Sequence, residues 1–188
     1  MMEPKHDITK MDFQVGRFIT FSDGVFAIVI TIMVFDLKVP EVDKNLSDSC
    51  LWNSLRTMGL KFLGFFISYG IVGHYWSVHH RIYGYALKYT TALLWINLAF
   101  LLTVALLPFS SALLAEYSSH SNMQLPFAVY VLTVCLVALV NTWLLGYIIN
   151  PKRYLLTRKL SKPRIKFGVF RSLVLPILFF VSFLVFPI

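Results

Sequence analysis

Arg17 and Asp23 stand out because both are written into the start of one long apolar stretch, Arg17 to Pro40, RFITFSDGVFAIVITIMVFDLKVP. An ionisable residue inside a membrane costs about 2.5 to 3.5 kcal/mol on insertion scales, so such residues serve a function or a buried contact. Three histidines, His74, His79 and His80, are the next candidates for chemistry. They lack the acidic pair or cysteine at ligand spacing that a metal centre needs, and His79 and His80 stand beside Arg81 at a helix end, so an interfacial structural role is expected. No paired catalytic carboxylates and no nucleophile with an adjacent base stand out, which points away from an enzyme. Cys50 falls in a connection and Cys135 within an apolar stretch, a placement that predicts isolated thiols.

The elements that must position these groups follow from composition. Hydrophobic residues make up 57% and charged residues 14% of 188 positions, and the mean hydropathy is +0.71. That is too apolar for an ordinary soluble domain. Five stretches, about 13–37, 52–78, 90–113, 125–149 and 167–188, are long enough to cross a hydrocarbon core of about 30 Å as helices. Strand-like alternation is absent, so the expected fold class is all-α, a polytopic transmembrane bundle forming one domain over residues 1–188. The first stretch is a poor signal peptide, since it carries Arg17 and Asp23 internally and lacks a small-residue cleavage site; it is expected to be retained.

Lys and Arg are concentrated before the first span (Lys5, Lys10, Arg17), in the second connection (Arg81, Lys88) and above all in the segment 150–166, which carries Lys152, Arg153, Arg158, Lys159, Lys162, Arg164 and Lys166. Simple alternation puts these three on one side, predicted to be cytoplasmic with the N-terminus. The basic segment explains most of the net charge of +8 and the isoelectric point near 9.6, so no nucleic-acid partner is inferred. A topology signal, with contacts to anionic lipid, suffices.

At about 100° per residue with Arg17 at zero, Gly24 falls near about 340°, Ile28 near about 20°, Thr31 near about 320°, Ile32 near about 60° and Phe35 near zero. These form one stripe. Ser22, near about 140°, and Asp23, near about 240°, turn aside toward neighbouring helices. His74, Trp76 and Ser77 on the second span and Trp95 and Asn97 on the third lie at depths that meet Asp23, so an interhelical hydrogen-bond network is expected.

Arg17 followed by Phe21-Ser22-Asp23-Gly24 matches RxxxFSDG, and the continuation VFAIVITIMVFDLKVP, the later HYWSVHHR (74–81) and LLWINLAFLLTVALLPF (93–109) extend the match over most of the chain. The sequence thus resembles the prokaryotic branch of the potassium channels related to endolysosomal transmembrane protein 175. The resemblance implies a homotetramer in a prokaryotic plasma membrane, six helices per subunit against the five legible here, and permeant K+ with no other cofactor. It further implies that the first helices surround the path, with Ile28 as an apolar constriction, Thr31 as a hydroxyl ring where K+ is transiently held, and Ile32 and Phe35 beyond. Phe35 stands where a smaller aliphatic residue is the family's pattern.

The chain contains no TVGYG filter; Tyr83-Gly84-Tyr85 lacks the preceding Thr-Val and lies in a basic connection. Conduction is instead expected through rings of side chains, gated by dewetting at branched apolar residues. Asp36, Glu41 and Asp43 are candidates for concentrating cations at the outer mouth. A proton-coupled secondary transporter with Asp23 and His74 as relay is the competing expectation.

Overall fold

The computed structural model describes residues 5–40, 47–84, 86, 90–117, 124–153, 155 and 162–185. Seven α-helices, α1 (Lys5–Ile32), α2 (Asp48–Thr57), α3 (Gly59–Tyr83), α4 (Thr91–Ala105), α5 (Leu107–Tyr117), α6 (Leu125–Ile149) and α7 (Lys162–Val185), carry nearly all of it, with single 3-10 turns at Met33–Asp36 and Pro151–Arg153. Among the described residues three spans are long and apolar enough to cross a membrane, Val15–Asp36, Thr91–Tyr117 and Leu125–Ile149, and α2 with α3, bent by 50°, passes the same test when the pair is taken as one span. The 24-residue α7 packs along α6. The chain is a multi-pass membrane protein.

Local chemistry explains where the helices break. Ser47 caps α2 by accepting from the Cys50 N–H at 3.3 Å. Helix α2 has no buried residue and ends at Met58, where the chain turns into α3. The third predicted span is two helices, because Pro108 offers no N–H to continue the ladder and α4 stops at Ala105. Pro176 lies inside α7 and leaves the Ser172 carbonyl without its usual partner four residues on. The Tyr75 hydroxyl fills that vacancy from α3, donating to the Ser172 carbonyl at 3.2 Å. In lipid an orphan carbonyl has no water to turn to, so Tyr75 and Pro176 are complementary features of one joint. Tyr75→Phe is expected to destabilise the protein by about 0.6 to 1.7 kcal/mol, the range for hydrogen bonds between membrane helices. In a Pro176→Ala background, where the ladder is restored, the same change should cost much less; equal costs in a thermal-unfolding cycle would disprove the coupling.

Helix α6 sits centrally, packed against α4, α5 and α7, while α1 packs on α3 and α4. Phe26, Val72, Tyr75, Phe100, Val134 and Val137 are each no more than 1% exposed. Lipid tails are as apolar as these side chains, so their burial stabilises through close packing rather than through escape from water. The glycines of α3 do not serve that packing within the subunit: a Cβ at Gly59, Gly64, Gly70 or Gly73 would meet nothing within 4 Å. Close approach depends instead on Gly168 of α7, where a Cβ would stand 3.3 Å from Leu145 of α6.

Candidate ion pathway and its supporting network

Helix α1 has two faces. Phe18, Ser22, Phe26, Val29 and Met33, spaced four, four, three and four apart, are buried against the bundle. On the opposite side Arg17, Thr20, Phe21, Gly24, Ile28, Thr31, Ile32 and Phe35 are exposed in the isolated subunit. Ile28 is 57%, Ile32 45% and Phe35 76% exposed, so the rest of the chain covers none of the three. Arg17 makes contacts of its own in the structure, and Gly24 leaves open space where a side chain would be.

Thr31 adds a polar group to this face. Its hydroxyl donates to the carbonyls of Ala27 and Ile28, each at 2.9 Å. With its proton directed at its own helix, the oxygen keeps lone-pair capacity on the exposed face.

The buried face is held by a directed chain of hydrogen bonds. His79 Nε2 donates to Asn97 Oδ1 at 2.7 Å, and the Tyr83 hydroxyl donates to the same oxygen at 3.2 Å. Asn97 Nδ2 donates in turn to Ser22 Oγ at 2.9 Å, and Ser22 Oγ donates to the Phe18 carbonyl at 3.0 Å. His79, Asn97 and Ser22 are each 0% exposed. Aromatic rings hold the imidazole: His79 stacks on Phe100 at 5.3 Å and 7° and lies 4.5 Å from the Tyr83 ring. Its Nδ1 is buried without a partner, as a neutral ring with its proton on Nε2 requires of a site with no further donor. Asp23 is tied separately: Trp76 Nε1 donates to Asp23 Oδ1 at 2.9 Å across α1 and α3.

The residues that the sequence grouped around Asp23 therefore divide. Trp76 reaches Asp23, while Asn97 reaches Ser22. Trp95 is 66% exposed and joins neither. His74 and Ser77 face the other way, to α7: His74 Nε2 donates to the Arg171 carbonyl at 3.0 Å, and Arg171 Nη2 donates to Ser77 Oγ at 3.4 Å. At about 100° per residue, His74 and Ser77 fall within about 60° of each other on the α7 side, while Trp76 is turned about 160° from His74 and about 100° from Ser77. His79, expected at the interface beside Arg81, is instead the centre of the core network. The signal for it was the run Val72, Tyr75, His79, Tyr83, which keeps helical spacing along the buried face of α3.

Asp36 is partly buried at the end of the 3-10 turn; Glu41 and Asp43 lie outside the described residues. Cys50 and Cys135 are free thiols, and among the described residues no group of three His, Cys, Asp or Glu side chains is placed to hold a metal.

A protein-family model described as "Endosomal/lysosomal potassium channel TMEM175" matches residues 17–108, the stretch that holds the α1 stripe and every member of the Ser22 and Asp23 networks. The chain belongs to the TMEM175 family. It is 36% identical over 125 residues to a potassium channel of Streptomyces collinus, covering 66% of this chain and 59% of that one. A potassium channel of a Chryseobacterium species is 37% identical over 136 residues, covering 72% and 65%. The chain thus spans less than two thirds of the curated relatives it matches. TMEM175 of Gallus gallus, named an endosomal/lysosomal proton channel, is 32% identical over 111 residues, covering 56% of this chain and 22% of that one. The fold matches the crystal structure of a lysosomal potassium-selective channel TMEM175 homologue from Chamaesiphon minutus, with a TM-score of 0.76 and 29% identity, covering 92% of this chain and 86% of that one. TMEM175 is a family of ion channels and not of enzymes.

Proposed function

We propose that this chain is one subunit of a potassium-permeable channel in which the uncovered α1 faces of four copies surround the ion path. The observation that carries the reading is the division of α1: one face is hydrogen-bonded into the subunit through Ser22, while the other presents Gly24, Ile28, Thr31, Ile32 and Phe35 outward. Arg17, Thr20 and Thr31 on that outward face are poorly suited to lipid tails, which favours a wet or protein-lined surface. Ile28 and Ile32 then form apolar constrictions, and Thr31 offers four hydroxyl oxygens to a partly dehydrated K+. The larger K+ loses its hydration more readily than Na+, the direction of preference such a ring produces.

The same reading orients the subunit with its N-terminus in the cytoplasm of a prokaryotic cell and its basic segment, including Lys152 and Arg153, against the anionic inner leaflet of the plasma membrane. Asp36, with Glu41 and Asp43, belongs to the outer mouth, and one transmembrane domain comprises the chain.

Purified protein in K+-loaded liposomes tests this. K+ efflux that does not saturate and needs no proton gradient is expected, and Thr31→Ala should lower K+ over Na+ discrimination several-fold while Thr31→Ser keeps it. Because animal relatives carry the name proton channel, a pH-sensitive dye belongs in the same vesicles. Saturable K+ flux coupled to protons would replace the channel by a transporter. Asp23 and His74 are bonded to different helices, to Trp76 of α3 and to the α7 backbone, which gives no direct relay between them.

A further inference from the structure

Helices α3 and α7 leave between them a groove of about 480 Å³. It is walled by Ile67, Gly70 and Ile71 of α3 and by Leu175 and Leu178 of α7, with His74 at one end. Gly70 keeps it open: nothing lies within 4 Å of where its Cβ would stand. The one polar wall residue is already committed, because His74 Nε2–H is spent on the Arg171 carbonyl and the other ring nitrogen is an acceptor.

Beside that end lies Arg171, nine residues after Lys162 in α7 and half-buried. No carboxylate among the described residues pairs with it, and its guanidinium contact is a long one, 3.4 Å to Ser77. A guanidinium carries five N–H donors, so most of its capacity is unspent. In a helix that the sequence predicts to span the membrane, such a cation is costly without a counter-charge. Side chains on a helix lean toward its N-terminus, which for α7 is the side of the basic segment, so Arg171 reaches toward the headgroups of that leaflet.

We propose that the α3–α7 groove binds an anionic phospholipid, with one acyl chain lying along Gly70 and the phosphate held by Arg171. Two independent features define the occupant: the groove takes a chain and the guanidinium takes a phosphate, and a bilayer lipid joins both in one molecule. This site is separate from any contact of anionic lipid with Lys152 and Arg153, and it does not depend on which ion the protein conducts.

Native mass spectrometry of the intact assembly, purified with an equal mixture of phosphatidylglycerol and phosphatidylcholine, reads the outcome. Wild type is expected to retain phosphatidylglycerol over phosphatidylcholine by about fivefold, the factor one basic residue near an anionic surface supplies. Arg171→Gln should bring the ratio to one while phospholipid is still retained, and Arg171→Lys should restore it. Gly70→Leu, which enters open space and leaves the fold intact, should remove retention of both lipids. Equal retention in wild type, or unchanged phosphatidylglycerol on Gly70→Leu, would overturn the proposal. So would a ratio lost with Lys152→Gln and Arg153→Gln but kept with Arg171→Gln, which assigns the lipid to the basic segment. A change of subunit number on Gly70→Leu would make the groove a face between copies instead.

Discussion

Ile28→Asn is expected to raise K+ current and to weaken discrimination between K+ and Na+. The isoleucine is 57% exposed on the uncovered face of α1, one turn before Thr31. In the proposed tetramer a ring of four such side chains would exclude water from a narrow path, and an ion crossing it would shed hydration that nothing replaces. An asparagine amide offers both donors and acceptors at the same place, which wets the ring and lowers the barrier. Each 1.4 kcal/mol or so removed from the barrier multiplies the rate by about ten. Single-channel recording in planar bilayers under opposed KCl and NaCl reads both effects. Val29→Asn is the contrast: Val29 is 4% exposed on the opposite face, so its loss should appear as reduced folding rather than as increased current. Unchanged conductance and selectivity with Ile28→Asn would remove Ile28 from the constriction.

Asn97→Leu is expected to destabilise the subunit by about 2 to 6 kcal/mol, because it strands two buried donors at about 1 to 3 kcal/mol each. The donors are His79 Nε2–H and the Tyr83 hydroxyl, both of which end on Asn97 Oδ1. Neither has water to fall back on, since His79 is 0% and Tyr83 2% exposed. The change also cuts the bond from Asn97 to Ser22, which ties α4 to α1 and sets the rotation of the α1 stripe. Thermal unfolding in detergent reads the stability. A cycle with Ser22→Ala reads the coupling: the double variant should cost clearly less than the two single changes together, because they share one chain of bonds. Additive effects, or an unchanged melting temperature in Asn97→Leu, would reduce the network to ordinary packing.

Much of α1 was legible before any coordinates. A period of 3.6 residues separates Ile28 and Thr31 from Ser22 by rotation alone, and the structure puts the first two outside and the last at 0% exposure. Helix breaks were harder to read. Apolar composition continues through Met58 and Leu106, and the breaks there come from a turn and from a proline two residues on, neither of which changes hydropathy. The glycines of α3 show a related limit of sequence: small residues permit close approach without requiring it, and within the subunit the neighbouring helices pack elsewhere.

The chain's own order of residues determined that it spans a membrane as a helical bundle, that α1 has two unlike faces, and that RxxxFSDG marks its kinship. Those conclusions rest on hydropathy and on the fixed rotation of a helix, which are properties of one segment at a time. Only the tertiary structure decided which polar groups meet: Trp76 with Asp23, His79 with Asn97, and His74 and Ser77 with Arg171. Four residues within six positions of one helix look like one cluster when written in a line. Each step of about 100° turns them toward different neighbours, and the identity of those neighbours is settled by packing between helices that lie far apart in the chain.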